Sequence, residues 1–114
     1  MFTLSLPAPL SVNATRRIDW RNYPKVKAWL AEADGIFLQQ KRALMPLAIK
    51  GPFEVTIVLR DGSRIDADNA IKAVIDVLRR FRLVADDRPE LMRRVVVEFG
   101  DVEGCQVTVN PVSI

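Results

Sequence analysis

Apolar residues along the chain follow two different spacings, and each spacing predicts a different kind of element. Alternation in FTLSL and β-branched runs in FEVTIVLR, RRVVVEF and CQVTV predict four strands. Two other segments repeat apolar residues every three or four positions, which predicts two amphipathic helices. The first helix begins near Tyr23, with a buried face of Val26, Trp29, Leu30, Ala33 and Phe37. The second follows Asp66, with a buried face of Ile71, Val74, Ile75 and Leu78.

The resulting order is β-α-β-α-β-β, in a single domain covering residues 1–114. We therefore expect an α/β (α+β) two-layer fold, in which a small mixed β-sheet has its helices packed on one face. The last two strands are separated by a short acidic turn and are predicted to form a hairpin. In the first helix, Asn22 is placed to cap the start, Pro24 fits the first turn, and Gly35 is expected to kink or divide it.

Composition excludes several classes of function. The chain has no histidine, which rules out His-based zinc sites and Ser-His-Asp triads. Its one cysteine, Cys105, lies in an apolar strand and is expected to be a buried thiol. No apolar run is long enough to span a bilayer. The first ten residues lack a basic leader and are interrupted by Pro7 and Pro9, so we expect no signal peptide and a cytoplasmic protein.

Two carboxylates, Asp66 and Asp68, precede the second helix with one residue between them. Side chains two positions apart in an extended segment face the same way, so the two carboxylates should converge. Oxygen ligands of this kind suit Mg²⁺, Mn²⁺ or Ca²⁺. An EF-hand calcium loop starting at Asp66 would need glycine and glutamate where Ile71 and Val77 stand, so that match fails. The simpler interpretation is that Asp68 caps the helix and Asp66 is a solvated loop residue.

A second acidic pair, Asp86 and Asp87, follows the same helix. If the chain turns back over the sheet, Asp87 would join Asp66 and Asp68 in one pocket for one or two metal ions. The alternative is an ordinary acidic turn. Lys72 lies one helical turn after Asp68 and could contact a reacting phosphate. Asp68, Lys72, Asp76 and Arg80 also form an i, i+4 ladder that is typical of a solvated helix face.

Basic residues surround these acids. The formal net charge is +3 and the pI is about 9.4, a modest bias towards anionic partners. Two groups, one near the first helix and one near the second acidic pair, could contact the phosphate backbone of DNA: Arg16, Arg17, Arg21, Lys25, Arg79 and Arg88. The alternative for the group near the first helix is an ordinary solvated loop.

These residues together resemble a known family. The string Asp66-Ala-Asp68-Asn69-x-x-Lys72-x-x-x-Asp76-x-Leu78, followed by Val-Ala-Asp86-Asp87, resembles the RusA family of Holliday-junction resolvases. The segment LPAPLSVN is similar to the Pro-x-Pro-x-Ser-Asn element near the start of that family, although Val12 stands where the family often has a second asparagine. The loop from Arg16 to Asn22 has no close match in the family.

The resemblance implies a homodimeric, Mg²⁺-dependent endodeoxyribonuclease that resolves four-way DNA junctions by paired symmetric nicks. It implies that Asp66, Asp68 and Asp87 are the essential metal-binding acids and that Lys72 is the catalytic lysine. It gives supporting positions to Asn69, Asp76 and Asp86. Two other functions stay open: a Mg²⁺ nuclease acting on flaps or forks, and a non-catalytic dimeric DNA-binding protein. Members of the family occur in bacteria and in prophages.

Overall fold

The described residues form four strands and two long helices that follow one another in the predicted order. The structure, a computed structural model, describes residues 1–9, 24–63 and 65–113. The elements are β1 (Phe2–Leu6), α1 (Pro24–Leu44) with a short 3₁₀ turn (Met45–Leu47), β2 (Phe53–Arg60), α2 (Ala67–Arg80), β3 (Met92–Gly100) and β4 (Cys105–Pro111). The predicted loop between β1 and α1, with the Asn22 cap, lies outside the described residues.

The strands form one mixed sheet in the order β1-β4-β2-β3. β4 pairs antiparallel with both β1 and β2, whereas β3 pairs parallel with β2. The predicted hairpin of the last two strands is therefore wrong. β3 and β4 lie on opposite sides of β2, and residues 101–104 cross the end of β2 between them.

The charges of β3 give a physical reason for its position at an edge of the sheet. In β4, Cys105, Val107 and Val109 are buried in strict alternation, so this strand has one face on the core. In β3, by contrast, three valines are flanked by the charged residues Arg93, Arg94 and Glu98. Charged side chains are a common feature of edge strands because they discourage unwanted pairing.

Both helices cover the same face of the sheet, as the two-layer prediction requires. The core consists of inward-facing strand residues such as Leu4 and Ile57 and of the apolar faces of the helices, and it includes Cys105, whose predicted burial is confirmed. The predicted helix faces are also confirmed, although Leu30 and Ile71 are only partly buried.

Helix α1 is one continuous helix of 21 residues, so Gly35 does not divide it. The Phe37 ring stacks on Phe81, just after α2, with 3.9 Å between ring centroids. Side-chain bonds also attach α1 to the first strand. Trp29 Nε1 donates to the Pro7 carbonyl at 3.2 Å, and the Gln40 side chain exchanges hydrogen bonds of 3.3 and 3.4 Å with the backbone of Ser5. In the described part of the chain, no helix is long and apolar enough to cross a membrane.

Candidate active site

The first acidic pair lies at the N-terminal end of α2. Asp66 is the N-cap residue, and its Oδ1 accepts a hydrogen bond of 2.9 Å from the backbone N–H of Asp68. Asp68 lies in the first turn of the helix, and both residues are exposed. The Asp66 carboxylate therefore lies against the backbone of Asp68 as a helix cap. The simpler interpretation made Asp68 the helix cap. In the structure, Asp66 caps the helix instead.

Local physics explains why two like charges can stand together here. The first backbone N–H groups of α2 have no partner within the helix, and the helix dipole adds positive potential at this end. One N–H group is satisfied by Asp66 itself. Both residues are exposed, so each carboxylate is accessible to a divalent cation from solvent. Lys72 lies one turn further along α2 and is also exposed, with Asn69 partly buried between them.

The second acidic pair lies at the opposite end of α2. Asp86 Oδ1 is 3.5 Å from Arg79 Nε, and Asp87 Oδ1 is 3.8 Å from Arg79 Nη1. Arg88 Nε is 3.3 Å from Asp86 Oδ2. The backbone N–H of Asp87 donates to Asp86 Oδ1 at 2.8 Å, and this bond is the main reason why the pKa of Asp86 is lowered, with the two arginines adding to it. Asp86 thus stays ionised and organises the turn.

The length of α2 separates the two acidic pairs within one chain. Arg79 follows Asp66 by 13 residues, which corresponds to about 20 Å along a helix axis. Because Asp87 lies against Arg79, it does not come back towards Asp66 and Asp68. Among the described residues, which include all three acids, no three carboxylate or thiol side chains lie close enough together to hold a metal ion. The three-carboxylate pocket expected from the sequence is therefore not assembled within one chain.

A cleft of about 650 Å³ lies between α1 and α2 and was not expected from the sequence. It is lined by Lys27, Leu30, Ala31, Asp34, Asp76, Arg79 and Arg80. Arg80 makes two hydrogen bonds to the Asp34 carboxylate, of 3.0 and 2.7 Å, and this contact raises the pKa of Arg80. Arg80 therefore binds a residue of α1, although the ladder pattern had suggested Asp76 as its partner. Arg80 and Asp34 are 46 positions apart, so no local sequence pattern could have predicted their contact.

Only some of the residues expected to contact DNA lie in the described part of the chain. Lys25 is exposed on the first turn of α1, while Arg16, Arg17 and Arg21 lie outside the described residues. Arg79 and Arg88 are exposed by 43% and 65%, but both pair with the second acidic pair. A phosphate would have to compete with Asp86 for these two arginines.

The comparisons with known proteins add no relatives: no protein-family model matches this chain, and no match is found among curated proteins.

Proposed function

We propose that this protein is a Mg²⁺-dependent, structure-specific endodeoxyribonuclease that cuts four-way DNA junctions, acting in the cytoplasm as a homodimer. The observation that carries the proposal is the exposed group of Asp66, Asp68 and Lys72 at the N-terminal end of α2. This group follows the C-terminal end of β2, a strand with a parallel neighbour. Ligands commonly bind outside this end of strands in α/β sheets.

The chemistry of the group supports hydrolysis of a phosphodiester. Asp66 and Asp68 would hold the cation, which when bound supplies positive charge to the scissile phosphate. Lys72 would contact a non-bridging phosphate oxygen and stabilise the charge that develops there. Two carboxylates fit a metal ion, but the third expected ligand, Asp87, does not reach them within the chain. The basic residues Lys25 and Lys27 on α1 would contact the DNA backbone.

A second candidate is a non-catalytic DNA-binding protein. It is favoured by the contacts that the acids already make: Asp66 caps α2, and Asp86 forms ion pairs with Arg79 and Arg88. Carboxylates that only cap a helix or form ion pairs with arginines would need no metal ion. The exposure of Asp68, which caps nothing in the described structure, favours the nuclease.

The test is cleavage of end-labelled four-way, flap, fork and linear duplex DNA with Mg²⁺, with Mn²⁺ and with EDTA. The proposal expects nicks at symmetric positions in opposed strands of the junction, only when a divalent metal is present. Cleavage confined to flaps or forks would assign the same chemistry to a different substrate. Junction binding without any metal-dependent cleavage would select the non-catalytic candidate.

A further inference from the structure

Helix α2 ends in a Schellman motif that has an arginine in the place usual for glycine. The N–H of Arg82 donates to the Arg79 carbonyl at 3.0 Å, and the N–H of Leu83 donates to the Leu78 carbonyl at 3.0 Å. These are the two hydrogen bonds of the motif, and they require left-handed backbone at the residue after the C-cap Phe81. That residue is Arg82, with a φ of +59°. Within the described chain, it is the only residue other than glycine with a positive φ.

The fold itself gives no reason for an arginine at this position. Left-handed backbone costs free energy for any residue with a Cβ, and glycine would make the same two backbone bonds without that cost. The Arg82 side chain is exposed, and among the described residues it forms no ion pair and no side-chain hydrogen bond. Positive charge at the negative end of the helix dipole is already present at Arg79 and Arg80. Strained backbone of this kind is often found where a side chain has a binding function.

A second exposed cation, Lys50, lies at the same end of the molecule. The backbone N–H of Ile49 donates to the carbonyl of Leu83 at 2.8 Å, so Lys50 and Arg82 each stand one residue away from this bond. Lys50 also has no ion pair in the described part of the chain. The stretch 35–53, to which it belongs, contains no acidic residue. The two cations therefore place positive charge towards solvent.

We propose that Arg82 and Lys50 form a binding site for phosphate groups of the DNA backbone, and that arginine occupies the left-handed position because of this contact, at the expense of stability. The proposal rests on the proposed function in one respect, since it takes DNA as the anionic partner. A guanidinium group binds phosphate oxygens in a fixed two-point geometry, and the lysine adds a second positive charge beside it.

The site differs from the other basic residues near the C-terminal end of α2. Arg79 and Arg88 both lie against Asp86, so a phosphate has to displace an existing ion pair to reach them. Arg82 and Lys50 bind a phosphate without breaking any ion pair of the described residues. Within one chain, the 14 residues of α2, about 21 Å along the helix axis, lie between this site and Asp66. The contact therefore serves binding, and not the chemical step at Asp66.

Urea unfolding tests whether Arg82 is kept at the expense of stability. Arg82→Gly keeps the backbone bonds of the helix end and relieves the strain, so we expect its unfolding midpoint to rise by about 0.3–1 M at an unchanged m value. Arg82→Ala removes the same charge but keeps a Cβ in left-handed backbone, and should unfold near the parental midpoint. A lower midpoint for Arg82→Gly would overturn the proposal, because the arginine would then stabilise the fold.

The phosphate contact is tested by fluorescence anisotropy of a labelled four-way junction, in EDTA and over a range of salt concentrations. Arg82→Gly and Lys50→Ala should each weaken binding and flatten the log–log salt dependence by about 0.9, the value for one lost phosphate contact on duplex DNA. Arg82→Lys keeps a cation and should keep the parental slope. Arg94→Ala removes one charge from an exposed residue on the sheet face without helices, and as the control it should bind like the parent.

The outcomes separate this site from the nuclease. Parental slopes for Arg82→Gly and Lys50→Ala, with a parent that binds the junction, would overturn the phosphate site alone. Flattened slopes in both variants, with a parent that binds the junction and never nicks it, would support the site and refute the nuclease. A parent that binds no DNA would overturn both.

Discussion

The pairing of β4 with β1 can be tested at Gly104, the residue that precedes β4. Its φ of +98° lies in the left-handed region, and a Cβ there would be 2.6 Å from the carbonyl oxygen of Leu6, the last residue of β1. This close contact exists because β4 enters the sheet beside β1 and not beside β3. Gly62 offers a matched control, since its φ is +82° but a Cβ there would meet nothing within 4 Å.

The two alanine variants should therefore differ in stability. Gly62→Ala should cost about 1–2 kcal/mol, the usual penalty for a side chain in left-handed backbone. Gly104→Ala carries the same penalty and must also displace backbone, which adds about 1–3 kcal/mol. Urea unfolding followed by circular dichroism measures the difference, expected as a midpoint about 0.5–2 M lower for Gly104→Ala at an unchanged m value. Equal losses for the two variants would contradict the pairing of β4 with β1, because without that pairing a Cβ at Gly104 would not meet the Leu6 carbonyl.

Three further predictions concern the site and the core. Lys72→Met should lower the single-turnover rate of junction cleavage by about 10²–10³-fold, the scale for losing one preorganised electrostatic contact. An unchanged rate would show that Lys72 is only a surface residue of the helix. A double-mutant cycle between Arg80 and Asp34, measured by urea unfolding, should give a coupling free energy of only about 0.5–1 kcal/mol, because both side chains are substantially exposed. A coupling of zero would contradict the two short hydrogen bonds between them. Burial raises the pKa of Cys105 to about 12, so the native thiol should resist an aromatic disulfide reagent at pH 8 and react on unfolding; rapid reaction of the native protein would contradict its burial.

The same thiol makes stability depend on pH in a known direction. The folded state keeps the Cys105 proton up to about pH 12, whereas the unfolded chain loses it near pH 8.5. The stabilising contribution is therefore complete below about pH 8.5 and is lost as the pH rises towards 12.

Local patterns predicted the elements of this fold because each element carries its own periodicity. The alternation in β4 and the 3.6-residue repeat in α2 depend only on near neighbours. The neighbour of each strand depends instead on contacts distant in sequence, so the hairpin prediction failed even though both strands were correct. The charges flanking the valines of β3 were the available sign of an edge strand.

In the candidate site, too, features set by neighbouring residues could be predicted and features set by distant contacts could not. The position of Asp66 and Asp68 at the start of α2 could be predicted, because it depends only on neighbouring residues. The position of Asp87 could not, since it depends on the length and direction of α2 and on the ion pair with Arg79. The cleft between the helices is lined by Asp34 and Arg80. Their contact could not be predicted, because they are far apart in the sequence.

The most direct test of the nuclease compares Asp68→Asn with Asp61→Asn on a labelled four-way junction in Mg²⁺. Both substitutions remove one exposed carboxylate charge, but Asp61 lies in the turn after β2 and outside the proposed site. We expect Asp61→Asn to nick at the parental rate. Asp68→Asn should bind the junction normally and nick it slower by about 10²-fold or more. Parental nicking by Asp68→Asn would contradict the assignment of the acidic pair at the start of α2 as the catalytic centre.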